Sequence, residues 1–242
     1  ITQISHTLLE HFSPLGVAQA AFLLGAVWWI WIYTSWVTNW LDPERPPVRI
    51  LLFVLMLLGL VMSCALPEAF GANGLIFAGA YVTAQLVRSL FTMVSLKDAS
   101  PANHRNFQRI TIWLCCSGVF WIAGGLNEGP MRFGLWLIAL GIEYVGPTVG
   151  FRVPRLGRSL TSDWNVEGGH LAERCALFII IALGESILIT GATAAKLPVT
   201  AANLTAFLNS FLSSIAMWWI YFHIGAERAS HHIARSDDPG RI

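Results

Sequence analysis

The stretch that decides the fold is His170–Gly191, HLAERCALFIIIALGESILITG. It is long and apolar enough to cross a hydrocarbon layer, which takes about 20 residues. It nevertheless carries Glu173 and Arg174 near its start and Glu185 deep inside. In a soluble core an ionised Glu needs a partner or a polar cavity, whereas in a membrane it indicates a functional site. The meaning of Glu185 therefore depends on the solvent around this helix.

The composition favours a membrane. Of the 242 residues, 55% are hydrophobic and 12% are charged, with a mean hydropathy of +0.59. Soluble domains carry about 25% charged residues. Lys plus Arg number 15 against 14 for Asp plus Glu, so the net charge does not predict a nucleic-acid partner. The cysteines Cys64, Cys115, Cys116 and Cys175 lie in apolar runs without a CxxC motif, and are predicted to be buried small hydrophobes.

Seven apolar runs are long enough to span a bilayer, roughly 16–41, 48–66, 74–95, 107–126, 131–150, 171–193 and 203–226. Proline or glycine interrupts the chain between them. The opening ITQISHTLLEHF is too short to span and lacks the basic start of a signal peptide, so we expect the tail of a truncated helix. The sequence thus predicts an all-α transmembrane bundle, one domain over residues 1–242, with about seven full spans plus a truncated first helix.

Basic residues alternate between the two sides of these spans. Eleven Lys and Arg fall on one side, namely Arg45, Arg49, Lys97, Arg105, Arg109, Arg152, Arg155, Arg158, Arg228, Arg235 and Arg241. The other side has Arg132 and Lys196. Cytoplasmic loops hold the excess of basic residues, so the eleven mark the cytoplasmic face.

The two ends of the chain echo one another. AVWWIWIY at Trp28–Trp29 resembles AMWWIYFH at Trp218–Trp219, and Asp-Pro pairs follow at Asp42 and Asp238. A repeat spacing of this kind predicts two parallel six-helix repeats, with residues 1–170 as the first repeat lacking its start and 171–242 as the beginning of the second. The alternative is that tryptophan pairs recur by chance in interfacial belts.

Several segments carry a resemblance to a known family. They are ITQISHTLL, the Trp-rich helix ending in LDP, ALPEAFG at Ala65–Gly71, HLAER followed by LFIIIALGESI, and SDDPGRI. Over essentially its whole length the chain resembles the bacterial low-temperature-requirement A family. The resemblance implies a polytopic inner-membrane protein linked by name to growth in the cold, with an N-terminal acidic helix half and several C-terminal helices absent here. It implies no particular biochemical activity.

Glu185 is the first candidate for a polar pathway. Helical rise places it about 18 Å beyond Glu173, past the midplane. A carboxyl group at that depth is typical of an ion or proton path. The alternative is a protonated Glu that stabilises helix packing beside Gly184 and Ser186.

Arg88 and Glu143 interrupt two other apolar runs. Counting from the cytoplasmic ends of their helices places both about 10 Å inside the boundary, so we expect an ion pair between them. The alternative for Arg88 is that its side chain reaches the interface. Tyr81, Gln85 and Arg88 share one face of their helix and form the best candidate for a polar cavity.

Three further patterns have a structural interpretation beside the functional one. His170 and Glu173 share a helical face but supply two metal ligands at most, so a capping or salt-bridging cluster with Arg174 at the cytoplasmic end is favoured. The aromatic stripe Trp29, Tyr33, Trp36 and Trp40 is more typical of packing than of a cofactor groove. Pro147 indicates either a functional hinge or a helix end.

The sequence contains no HExxH, GxSxG, GxxxxGK or GxGxxG motif. We therefore expect neither an enzyme nor a cofactor or metal site; the predicted partners are the lipid bilayer and a proton or small solute. Parallel repeats and buried carboxylates suggest a secondary transporter or proton-coupled permease. The alternative is a non-transporting scaffold or lipid-interacting factor that supports growth at low temperature, with basic loops on anionic headgroups.

Overall fold

The computed structural model describes residues 3–5, 8, 12–159 and 168–225, with backbone alone for 168–172 and 224–225. Within these ranges the chain forms seven α-helices. They are α1 Pro14–Val37, α2 Pro46–Ala65, α3 Gly74–Ser95, α4 Pro101–Leu126, α5 Gly129–Thr148, α6 Gly168–Ala194 and α7 Ala201–Trp219. A short 3-10 helix, Leu66–Glu68, follows α2, and a π-helical turn, Ile220–Gly225, follows α7. The described residues form no β-strand, so the all-helical prediction is confirmed for them.

The breaks seen in the sequence become helix starts. Proline occupies the first turn of α1, α2, α4 and α5, where the missing N–H costs no helical hydrogen bond. The hydroxyl oxygens of Ser13 and Thr200 accept the backbone N–H of Gly16 and Asn203 at 3.0 and 3.2 Å. These side chains satisfy N–H groups that the first turns of α1 and α7 leave without a helical partner.

The chain divides into two compact units, residues 1–165 and 166–242. In unit 1, α4 packs against both α3 and α5, while α3 also contacts α1 and α2. Unit 2 is built on the contact between α6 and α7. The predicted internal duplication stays a prediction, because a likeness between the units is not shown.

Six helices in the described part of the chain are long and apolar enough to cross a membrane. They are Pro14–Val37, Pro46–Glu68, Gly74–Ser95, Pro101–Leu126, Glu173–Ala194 and Ala201–His223. The predicted span at 131–150 forms α5, which has 20 residues but does not reach that hydropathy. Arg132, Glu143 and several glycines dilute its apolar content. The count of seven full spans is therefore not confirmed.

Apolar side chains pack inside unit 1 and also cover its outside. Phe77, Trp121 and Trp136 are fully buried between α3, α4 and α5. On α2, by contrast, Phe53 and Met56 are 64 and 68% exposed. An apolar exterior of this kind suits acyl chains rather than water.

The structure corrects the prediction that the cysteines are buried and decides between the two interpretations of Pro147. Cys64, Cys115 and Cys116 are exposed rather than buried, because an apolar run in a bilayer protein has a lipid face as well as a core face. Pro147 lies in the last turn of α5 and marks a helix end. There the N–H groups of Phe151 and Gly150 donate to the carbonyls of Gly146 and Pro147, in the Schellman arrangement that closes helices.

The aromatic stripe Trp29, Tyr33, Trp36 and Trp40 runs along α1 and into the turn after Val37, and its rings pack within unit 1. Trp29 stacks on Tyr144 of α5 with ring centroids 4.1 Å apart, and Trp40 meets Phe107 of α4 at 5.8 Å. Tyr33 between them is buried. The packing interpretation of this stripe therefore describes what these rings do.

Candidate functional site

Glu143 of α5 is the centre of a buried polar network in unit 1. Its side chain is 4% exposed and accepts four hydrogen bonds. Oε2 accepts from the Tyr81 hydroxyl at 2.7 Å and from the Gln85 amide at 3.0 Å, both on α3. Oε1 accepts from the Ser117 hydroxyl at 2.8 Å and from the Trp121 indole at 2.9 Å, both on α4. Four donors match the four acceptor positions of an ionised carboxylate.

Arg88 of α3 lies on the other side of Gln85 and is 1% exposed. Its guanidinium donates to the Ile30 carbonyl at 3.0 Å and to the Thr34 hydroxyl at 3.1 Å, both on α1. It also donates to the Gln85 side-chain oxygen. The ring centroid of Tyr33 lies 5.3 Å from the Arg88 Cζ, a cation–π distance. Arg88 therefore points into the bundle, and the alternative of reaching the interface does not apply.

Gln85 joins the two charges, and the predicted direct ion pair between Arg88 and Glu143 is wrong. The amide nitrogen of Gln85 donates to Glu143, and its oxygen accepts from Arg88. The physical reason is a difference in position along α3. Tyr81 and Gln85, which donate to Glu143, come seven and three residues before Arg88, so the carboxylate lies roughly one to two helical turns from Arg88. The predicted ion pair assumed that the cytoplasmic ends of α3 and α5 lie at the same depth.

The structure thus brings four of the predicted residues together: Tyr81, Gln85, Arg88 and Glu143. Sequence reasoning missed Ser117, Trp121 and Thr34, which complete the network. Ser117 and Trp121 are four residues apart and share a face of α4. That spacing is the one signal they offer, because Ser, Thr and Trp are common in membrane helices.

Two further arginines, counted above as loop charges, are buried anchors. Arg132 of α5 donates to the carbonyls of Ala69 at 3.0 Å and Asn127 at 2.8 Å, which ties the turn after α2 to the end of α4. Arg109 of α4 donates to the Leu156 carbonyl at 2.9 Å and the Asn106 side chain at 2.7 Å. Both satisfy their donors mainly with neutral oxygens and hold unit 1 together at opposite ends of α4.

The other predicted residues lie in unit 2. Glu185 is half-buried within α6 and makes no hydrogen bond or ion pair to the described residues. Its neighbour Ser186 donates to the Ala182 carbonyl at 3.0 Å. The hydroxyls of Thr190 on α6 and Ser210 on α7 form a hydrogen bond of 2.9 Å between the two helices. The polar contacts described within unit 2 therefore hold its helices together without using Glu185.

The predicted cytoplasmic-end cluster belongs to the start of α6. The side chain of His170 lies outside the described residues, and Glu173 and Arg174 are exposed. Because α6 begins at Gly168, Glu173 falls beyond its first turn. Any favourable interaction of Glu173 with the dipole of α6 is therefore weak.

These features define a class of protein: a polytopic α-helical membrane protein with a charged network enclosed among its apolar helices. The model of the bacterial low temperature requirement A protein family matches residues 1–242, and the chain belongs to that family. It is 47% identical over 239 residues to an uncharacterized protein of Rhizobium meliloti (strain 1021). The match covers 99% of this chain and 58% of that relative, so the chain spans little more than half of the relative's length. No solved structure matches the chain.

Proposed function

We propose that the full-length protein is a secondary transporter of the bacterial inner membrane that couples a small solute to a proton, with Glu143 as the proton-exchanging group. The observation that carries the proposal is the enclosed network of Glu143, Gln85 and Arg88. Ionisable side chains inside membrane helices are costly and are typical of ion and proton pathways. The proposed activity is therefore transport and not catalysis.

The hydrogen bonds of this network have two arrangements, one for charged and one for protonated Glu143. Protonated Glu143 would become a donor and would need an acceptor among its four neighbours. The Trp121 indole can only donate, whereas the Ser117 hydroxyl can rotate to accept while it keeps its place beside the Leu114 carbonyl, 3.1 Å away. Protonation therefore reverses the hydrogen bond between Glu143 of α5 and Ser117 of α4. A transporter needs such an element with two discrete states.

The predicted duplication supports the same proposal. Ser13 and Thr200 cap α1 and α7 in the same way, each accepting the N–H three residues on. The interval between them is close to that between the two Trp pairs. We propose that α7 repeats α1 and that the parent protein contains two parallel repeats, an arrangement used by secondary transporters.

A second candidate function is favoured by the saturation of the network. Glu143 already accepts four hydrogen bonds, and Arg88 already donates to carbonyl and hydroxyl oxygens. The cluster could therefore serve only to stabilise the packing of α1, α3, α4 and α5. The protein would then be a non-transporting scaffold or lipid-interacting factor. The family's name suggests that such a factor supports growth at low temperature.

Proton flux into vesicles separates the two candidates. The full-length protein, reconstituted with an internal pH dye, is compared with Glu143→Gln, Glu185→Gln and the control Glu128→Gln, whose exposed side chain forms no cap bond. We expect Glu143→Gln to reduce solute-dependent flux by roughly 100-fold, as when a proton-transfer group is lost, and Glu128→Gln to leave it unchanged. Equal flux in Glu143→Gln and Glu128→Gln would contradict the proposed transport. Transport would also be contradicted if no solute in a panel produced flux above that of empty vesicles and a Glu143→Gln strain grew normally in the cold.

A further inference from the structure

An apolar groove of about 410 Å³ opens on the outside of unit 1, away from the Glu143 network. It runs along α4 and is lined by Met93, Gln108, Thr111, Ile112, Cys115, Cys116 and Leu156. Ile112, Cys115 and Cys116 are exposed. Small-molecule sites typically measure about 300–1,000 Å³, so the groove has room for part of an acyl chain.

Three exposed arginines lie close in the chain to residues that line this groove. Arg105 lies one turn before Gln108 on the same face of α4 and is exposed. Leu156 belongs to the loop 149–159, where Arg155 precedes it and Arg158 follows it in the chain, both with exposed side chains. No acidic residue occurs in this loop. The groove is therefore apolar, and the segments next to its α4 N-terminal end carry three exposed cations.

The loop that carries these arginines is held in place by its backbone. Both the Nε and the second terminal nitrogen of Arg109 donate to the Leu156 carbonyl, at 2.9 and 2.6 Å. The indole of Trp113 donates to the Arg152 carbonyl at 3.2 Å. Gly150, Phe151, Arg155 and Gly157 adopt left-handed backbone angles, which gives the loop a tight fold against α4. The backbone that carries the arginines is therefore fixed before a ligand binds, so binding has to order only their side chains.

From this arrangement we infer that the groove binds an anionic phospholipid, with one acyl chain along α4 and the phosphate-bearing headgroup against Arg105, Arg155 and Arg158. The charge complementarity commits the site to an anionic lipid, because a neutral headgroup gains little from three cations. Arginine is also well suited to phosphate, since its guanidinium can donate two parallel hydrogen bonds. This site is independent of the proposed transport function, because its residues take no part in the Glu143 network.

Lipid titration with native mass spectrometry tests the inference. The detergent-purified full-length protein is titrated with phosphatidylglycerol or phosphatidylcholine of identical acyl chains. We expect at least one phosphatidylglycerol to be retained preferentially, and the double variant Arg155→Gln/Arg158→Gln to weaken its retention by roughly 25-fold, about fivefold for each cation near an anionic lipid. The matched control is Arg45→Gln/Arg49→Gln, which removes two exposed cations that lie outside the groove.

Two further measurements keep the test decisive if the loop variant folds poorly. Ile112→Trp fills the groove without a change in charge and should also abolish the preference. Maleimide labelling followed by peptide mapping should show Cys115 and Cys116 protected by phosphatidylglycerol, while Cys64 on α2 stays reactive as the internal control. Equal retention of both lipids, or equal losses in the loop variant and the Arg45/Arg49 control, would overturn the inference.

Discussion

At the scale of single residues, the structure is organised by how buried charges are satisfied. Glu143 relies on four donors from two helices, and Arg88 relies on a carbonyl, a hydroxyl and an amide oxygen. Neither charge contacts the other, yet Gln85 links them through both ends of its amide. The stability of unit 1 should therefore respond to the loss of a single hydrogen-bond donor.

Tyr81→Phe removes one donor from Glu143 and leaves the ring in place. We expect the free energy of unfolding to fall by about 1.5–3 kcal/mol, the usual contribution of a hydrogen bond to a charged group. Tyr144→Phe is the matched control, since its hydroxyl donates to the neutral Gly25 carbonyl at 3.1 Å in an exposed position. Thermal unfolding in detergent measures both, and equal losses would show that Glu143 is not charged in the resting state.

Arg88 and Glu143 should be coupled although they do not touch. Arg88→Gln removes the nearby cation together with the donors to the Ile30 carbonyl and the Thr34 hydroxyl, a loss of about 1–3 kcal/mol. Glu143→Gln leaves the cation, and the double variant removes both charges. We expect the double variant to be more stable than the sum of the single losses by roughly 0.5–3 kcal/mol. Additive losses in denaturation would mean that Gln85 insulates the two charges.

At the scale of helices and loops, glycine and arginine determine how α5 ends and how the loop after it returns to α4. Gly150 has a φ of +63°, and a Cβ there would lie 2.6 Å from the Ser159 carbonyl oxygen. Arg109 holds the same loop through Leu156. This end of unit 1 has no freedom for a larger residue at position 150.

Gly150→Ala should destabilise unit 1 by about 1–3 kcal/mol, because the left-handed conformation and the backbone contact are both unfavourable to a side chain. Gly141→Ala within α5 is the control: a Cβ there meets nothing within 4 Å, and alanine is the better helix former by about 1 kcal/mol. Chemical denaturation of the two variants should shift in opposite directions. A harmless Gly150→Ala would contradict the described turn.

Helices and their polar faces were predictable, while the contacts between helices were not. Tyr81, Gln85 and Arg88 follow helical spacing, and Glu143 is a lone acid in an apolar run, so periodicity identifies both. The depth of Glu143 relative to Arg88 depends on where α3 and α5 begin and how they pack, which no local pattern encodes. Arg109 and Arg132 resembled loop cations because the carbonyls that bind them come from distant turns.

At the scale of the whole molecule, the charge pattern predicts which loops share a side of the membrane. The loop at Ala99, an exposed residue, belongs to the basic side, and the turn at Val199, which is 97% exposed, belongs to the other. Single cysteines at these positions, in a protein whose own cysteines are blocked, should react with an impermeant maleimide from opposite sides of the membrane. Labelling of both from one side would contradict the predicted orientation and, with it, the parallel duplication.

The central claim is that Glu143 exchanges a proton inside the bundle, and infrared difference spectroscopy tests it most directly. Spectra of the full-length protein in lipid are recorded between neutral and acidic pH for wild type, Glu143→Gln and Glu128→Gln. We predict a carboxylic-acid C=O band that appears on acidification, is absent in Glu143→Gln and persists in Glu128→Gln. A wild-type spectrum with no band assignable to Glu143, at any pH at which the protein stays folded, would contradict the account.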